Sequence, residues 1–232
     1  TPAGIPMVPD ELTEAAFYGR EDVATLLDEG KVPLGLDLET VEPVTWDLKK
    51  GNLLYLTDKE EQMAQFVKQI ARSKQKVIVL APAYNELPEM EGVTILSTKE
   101  DYVAGIKKME ENIQLRLEQQ KSQHEATIVL YNQLELMNDL SMDLQSSLNY
   151  VLEKGARAGY ATVAMSGSQL NRKIDEVSKS IKLYKQAIVA MRITDQSVLN
   201  VINRPVREEP LDSQVNYYVE DGFVRKVKVL MK

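Results

Sequence analysis

Cysteine is absent from the 232 residues, which excludes disulfides and thiolate metal sites. Histidine occurs once, at His124, so no multi-histidine zinc or iron centre can form. A Ser-His-Asp mechanism would have to use that one imidazole, yet its neighbours Ser122, Gln123 and Glu125 read as a solvated helix end. No apolar stretch approaches the roughly 20 residues of a membrane span, and no signal-peptide pattern is visible. Basic residues are in deficit: 28 Lys and Arg against 35 Asp and Glu leave a net charge of −7. That balance argues against a large nucleic-acid footprint, which needs a dense basic face. An initiator methionine is missing too. The chain starts Thr1-Pro2-Ala3-Gly4 and reads as a piece of a longer protein, with residues 1–9 a proline-rich linker and 10–232 one domain.

What is present is an alternation of buried-type strands and amphipathic helices. Asp10 is expected to cap a helix running to about Tyr18, and a second helix spans Asp22 to Asp28, ended by Gly30. Val32–Asp37, Val41–Asp47 and Asn52–Leu56 read as strands. Met63, Phe66, Val67 and Ile70 form one helical stripe. Lys76–Leu80 and Thr127–Leu130 are continuous apolar runs of the kind covered on both faces of a sheet. Val93–Leu96 is a shorter strand, and Ser97 to Glu100 reads as a capping box for a long helix with its stripe at Tyr102, Ile106, Met109, Ile113 and Leu117. Another helix carries Met142, Leu144, Leu148, Val151 and Leu152. Tyr160–Met165 is a strand, Ile174–Lys185 a helix and Ala187–Met191 a strand. Asp221-Gly222 supplies the positive-φ pair of a tight hairpin between Val215–Val219 and Phe223–Leu230. The pattern predicts an α/β fold with a mostly parallel central sheet, helices on both faces and a C-terminal antiparallel hairpin as edge strands. Trp46 is expected in the core. Tyr217 and Tyr218 should face opposite sides of their strand, leaving one free for contact.

Glycine is missing where the strand–turn–helix pattern most calls for it. A phosphate-holding P-loop reads G-x-x-x-x-G-K-[ST] between a strand and a helix, because glycines let backbone N–H groups approach phosphate. After Asn52–Leu56 the chain reads Thr57-Asp58-Lys59-Glu60-Glu61-Gln62 instead, one lysine against three carboxylates. Thr57 and Glu60 fit an S/T-x-x-E capping box. A second loss accompanies it. Thr127-Ile128-Val129-Leu130 runs into Tyr131-Asn132, where an ATPase would carry the acids that hold magnesium and polarise water. Glu135 and Asp139 come later, on a predicted helix.

These segments resemble a known family. Val32-Pro33-Leu34-Gly35-Leu36-Asp37, followed by Glu42-Pro43-Val44 and Gly51-Asn52-Leu53-Leu54, resembles the entry to an FtsK/SpoIIIE-type ATPase domain. Gly155-Ala156-Arg157-Ala158-Gly159-Tyr160 is similar to that family's turn before its sensor strand. The similarity runs from about Ile5 to the closing hairpin and is best for the C-terminal ATPase domain of the membrane-anchored motors of type VII secretion. It implies a RecA-like P-loop NTPase fold, with Walker A falling on Thr57, Asp58, Lys59, Glu60, Glu61 and Gln62 and Walker B on Tyr131 and Asn132. Since the sequence departs from the pattern at both, no catalytic, metal-binding or working cofactor-binding residue is assigned. ATP and magnesium are expected to serve other domains of the full-length protein. The resemblance further implies a role in recognising secreted WXG-type or LXG-type proteins or their chaperones, or in regulating the motor. It also implies contact with adjacent ATPase domains of the same chain, a homo-oligomer in the full motor, and a place at the cytoplasmic face of the membrane, reached only through the rest of the chain. Two alternatives stand beside it. One is a divergent ATPase using Lys59 and Glu135 with a pocket completed by a neighbouring subunit. The other is a purely structural ring or docking domain.

Overall fold

Two periods of apolar residues, two for strands and 3.6 for helices, set the element order. The computed structural model describes residues 6–230; of the linker expected over 1–9, residues 1–5 lie outside them. The strands are β1 (Val32–Asp37), β2 (Pro43–Trp46), β3 (Leu53–Leu56), β4 (Val77–Leu80), β5 (Val93–Leu96), β6 (Ala126–Leu130), β7 (Tyr160–Ser166), β8 (Gln186–Val189), β9 (Val215–Glu220) and β10 (Phe223–Lys228). The helices are α1 (Glu14–Tyr18), α2 (Glu21–Asp28), α3 (Glu60–Ala71), α4 (Lys99–Glu118), α5 (Gln133–Asp139), α6 (Met142–Gly155) and α7 (Glu176–Ile181).

All ten strands join one sheet in the order β2-β1-β10-β9-β8-β3-β7-β6-β4-β5. From β8 to β5 the neighbours run parallel, and from β8 to β2 they run antiparallel. Successive residues feed opposite faces. Leu54, Leu56, Ile128 and Leu130 pack with Tyr102, Ile106, Leu148, Val151 and Val177 from α4, α6 and α7. Leu53, Tyr55, Val79 and Val129 pack with Met63, Phe66, Val67 and Ile70 of α3. Both faces of β3, β4 and β6 are therefore covered, which is why their sequences are continuously apolar. Trp46 is fully buried as expected, its indole N–H donating to the Gly51 carbonyl at 2.9 Å.

Several expectations are corrected. The terminal hairpin is not at an edge: β9 and β10 sit between β8 and β1, and β2 and β5 form the edges. Tyr217 and Tyr218 do face opposite sides, but neither is free. One joins the α4 side and the other the α3 side, at 2% and 1% exposure. The first helix begins at Glu14 rather than after Asp10; Thr13 caps it by accepting from the Ala16 N–H at 3.1 Å. Leu12 is buried in one cluster with Phe17, a staple that holds the preceding chain out of the helix. The α4 capping box lies one residue later than read. Thr98 accepts from Asp101 N–H at 3.1 Å, and the Asp101 carboxylate accepts from Ser97 N–H at 3.3 Å. The helix expected over Ile174–Lys185 is only Glu176–Ile181. Its inward residues are Val177 and Ile181, while Ile174 and Leu183 are exposed, so no apolar stripe extends it further.

Beyond β8 a long connection returns to β9, pinned by one carboxylate. Glu208 accepts from the N–H groups of Ile193 and Thr194 at 2.6 and 2.8 Å and from the Tyr217 hydroxyl at 3.0 Å. Burial pushes its pKa up, but these bonds to the charged form outweigh it and hold the carboxyl below its ordinary 4.5. A depressed folded pKa contributes stability that is complete above the unfolded value and is lost as pH falls through the folded one. Urea midpoints measured downward from pH 4.5 are expected to fall less steeply for Glu208→Gln than for the unaltered chain. Parallel curves would remove Glu208 from the acid response.

Candidate functional site

In a parallel sheet, ligands bind beyond the carboxyl ends of the strands, near the point where strand order switches. Here that point is the end of β3, with β7 on one side and β8 on the other. Between Leu56 and Glu60 only Thr57, Asp58 and Lys59 intervene, too short a span for the glycine-rich wrap of a P-loop. Two of its three N–H groups are also in use. Thr57 N–H continues the ladder to the Ser166 carbonyl at 2.9 Å, and Lys59 N–H donates to the Thr57 hydroxyl oxygen at 3.1 Å.

The capping box expected between Thr57 and Glu60 does not form. Because the β3–β7 ladder runs one residue past Leu56, Lys59 becomes the N-cap, without a side-chain cap bond. Thr57 instead donates its hydroxyl to the Gln62 side-chain carbonyl. Asp58 turns away from α3 to the loop after β7, where its two carboxylate oxygens accept the N–H and the hydroxyl of Ser168, each at 2.8 Å. Gly167 permits that approach: a Cβ there would stand 2.7 Å from Asp58 Oδ1. Nothing in the local sequence signals this tie, since its partners are 110 residues apart.

Tyr131, at the end of β6, is 1% exposed and packs under α3 among Phe66 and Met63. Its hydroxyl reaches the Glu60 carbonyl at 3.4 Å. Burial first, then the negative charges of Glu60, Glu86 and Glu61, push its pKa up. Asn132 takes the left-handed conformation, φ 48°, at the N-cap of α5, a backbone state asparagine tolerates. The structure thus brings Tyr131 to the Thr57–Gln62 segment. Lys59 and Glu135 both remain exposed, at the starts of α3 and α5. Behind Asn132 lies a group that sequence reading missed. Gln133, fully buried, accepts from the Ser166 hydroxyl at 2.8 Å and donates to the Ser178 hydroxyl at 2.9 Å, joining β7, α5 and α7. Around the end of β3 the structure thus gathers the Thr57–Gln62 segment, Tyr131 and the Ser166–Gln133–Ser178 chain.

No protein-family model matches the chain. Among curated proteins it is 25% identical over 239 residues to the type VII secretion system protein EssC of Staphylococcus aureus, an alignment covering 99% of this chain and 16% of that protein. The chain therefore spans about a sixth of the relative it matches. Among solved structures it superposes on EssC ATPases 2 and 3 from Geobacillus thermodenitrificans with a TM-score of 0.86 at 18% identity, covering 97% of this chain and 45% of the other. It also superposes on Thermomonospora curvata EccC ATPases 2 and 3, solved with a signal sequence peptide, with a TM-score of 0.71 at 13% identity, over 99% of this chain and 45% of that one. Aligned with EssC along nearly its whole length and sharing the fold of solved EssC ATPase domains, the chain is similar to an EssC-type ATPase domain.

Proposed function

We propose that this domain serves a type VII secretion motor without hydrolysing ATP itself, as a surface that recognises secreted substrates or regulates the motor. The observation that carries this reading is the β3–α3 connection, three residues long, tied by Asp58 to Ser168 and bordered by Glu60, Glu61 and Glu86. Polyphosphate would meet the Asp58, Glu60 and Glu61 carboxylates there rather than a glycine-rich loop, and like charges repel. Magnesium would find Tyr131 and Asn132 in place of anionic ligands. ATP and magnesium then act in other domains of the full-length protein, which couple to this one as neighbours in the chain or in a homo-oligomeric ring. Secreted WXG-type or LXG-type proteins or their chaperones are the substrates this reading names, at the cytoplasmic face of the membrane. No described helix is long and apolar enough to cross a membrane.

Titration calorimetry of the chain with ATP and magnesium is expected to give no heat of binding. Magnesium-dependent association at micromolar ATP would overturn the reading. Co-purification with candidate secreted proteins separates recognition from a purely structural role, because a ring-forming scaffold captures none.

A further inference from the structure

A second cavity lies away from the end of β3. About 810 Å³ in volume, it opens between the α2–β1 turn, the segment after β2, the α3–β4 turn and the start of β6. We propose that it binds a phosphate group carried by a small phosphorylated molecule, at a site that does not depend on the recognition reading above. The α3–β4 turn carries the argument. Lys74 is left-handed there, at φ 55°, and no described residue accepts a hydrogen bond from the N–H groups of Lys74, Gln75 or Lys76. Successive N–H groups left open at such a turn form the kind of concavity that cradles anions. The turn is held from behind. The Gln75 side-chain amide donates to the Ser73 hydroxyl oxygen at 2.6 Å and accepts from the Thr127 hydroxyl, and Ser73 and Thr127 are both buried. The carboxyl end of α3 opposes an anion. Ser73 blunts it, its N–H and hydroxyl both donating to the Ile70 carbonyl, at 3.0 and 2.5 Å.

Charge completes the site. Its three lining carboxylates are already engaged: Glu29 by Lys31 at 3.2 Å, Glu125 by Arg116 at 3.0 Å and Asp47 by the Lys49 N–H at 3.0 Å. The ammonium groups of Lys49, Lys74 and Lys76, which also line it, pair with no described carboxylate. Open cationic and N–H donors thus surround one hollow in a chain whose net charge is −7. A phosphate dianion accepts several charge-assisted bonds at once and can use both sets. The hollow is larger than a bare phosphate and leaves room for the rest of an ester.

The test follows amide resonances of the isotope-labelled 232-residue chain at constant ionic strength. The titrants are sodium phosphate, glycerol 3-phosphate and acetate. The N–H signals of Lys74, Gln75 and Lys76 are expected to shift and saturate, with a Kd on the order of 1 mM for phosphate and a lower one for the ester. Acetate should leave them in place. Lys74→Glu and Lys76→Glu are each expected to weaken binding about tenfold. Lys107→Glu, the same charge change on α4, should leave it unaltered. All three side chains are exposed, so folding is retained. Lys74→Gly, which suits the left-handed turn, removes the ammonium with the N–H groups in place and should weaken binding less than Lys74→Glu. Sedimentation with phosphatidylglycerol vesicles separates two sources of the phosphate. Co-sedimentation abolished by Lys74→Glu makes it a lipid headgroup; ester binding without co-sedimentation makes it a soluble molecule. The proposal fails if the three signals stay still, if acetate moves them equally, or if Lys107→Glu weakens binding as much as Lys74→Glu. Each of these failures leaves the recognition reading intact, and magnesium-dependent ATP binding at the end of β3 would overturn that reading and leave this site.

Discussion

Arg116→Ala is expected to lower the unfolding free energy by about 2–4 kcal/mol, from the acceptors left without their donor at about 1–3 kcal/mol each, with Glu125 discounted because its side chain is 32% exposed. Arg116 comes from the last turn of α4, and its side chain is 11% exposed. Its Nε donates to the Ala158 carbonyl at 2.6 Å, Nη1 to the Glu125 carboxylate at 3.0 Å and Nη2 to the Gln123 carbonyl. One guanidinium thus holds the end of α4, the entry to β6 and the turn before β7. Truncation leaves two carbonyls and a carboxylate without their donor. The neighbouring Gly159 shows how close the fit is: at φ 88°, a Cβ there would stand 2.8 Å from Arg116 Nη2 and collide with the Gln123 carbonyl. Arg116→Lys should recover only part of the loss, since an ammonium cannot present the planar fork. Urea unfolding measures both variants. A loss under about 1 kcal/mol for Arg116→Ala would place the group among ordinary surface pairs.

Gln133→Leu is expected to cost about 2–4 kcal/mol, from two hydroxyls left without partners at about 1–3 kcal/mol each. Ser166 and Ser178 are both fully buried, so water cannot replace the amide. The informative comparison is the triple variant Gln133→Leu, Ser166→Ala, Ser178→Ala. Removing all three polar groups together should restore most of the stability, because nothing is then left unpaired. If the triple variant is as unstable as the single one, packing rather than hydrogen bonding explains the cost.

Much of the fold was legible in the residues. The runs Val32–Asp37 and Val93–Leu96 coincide with β1 and β5, and the stripe from Met63 to Ile70 is the buried face of α3. Asp221 and Gly222, at φ 51° and 87°, make the hairpin turn. Such features are legible because period and turn chemistry are local. Neighbours are not local. Nothing in Val215–Lys228 tells that the hairpin lies inside the sheet, although two adjacent buried tyrosines, Tyr217 and Tyr218, carry the signature of a strand covered on both faces. The candidate site divides the same way. The missing glycines and the Tyr131-Asn132 pair were visible as residue types. The bond from Asp58 to Ser168, the seat of Tyr131 beneath α3 and the Ser166–Gln133–Ser178 chain depend on distant segments meeting. The Thr57–Glu60 box was misread because the β3–β7 ladder takes the Thr57 N–H that the motif would need.

The position of the hairpin also orders events during synthesis. β1 and β2 emerge first, but β1 pairs on its inner side only with β10, in a register that sets Leu36 opposite Lys228. Until those residues have left the ribosome, the opening strands can pair only with each other and must wait beside a half-built sheet. A two-stranded ribbon is marginal alone, and pairing across almost the entire chain is slow because the loop must close first. The β1–β10 pairing is therefore the one of widest sequence separation in the sheet, and the fold stays open at that seam until it forms.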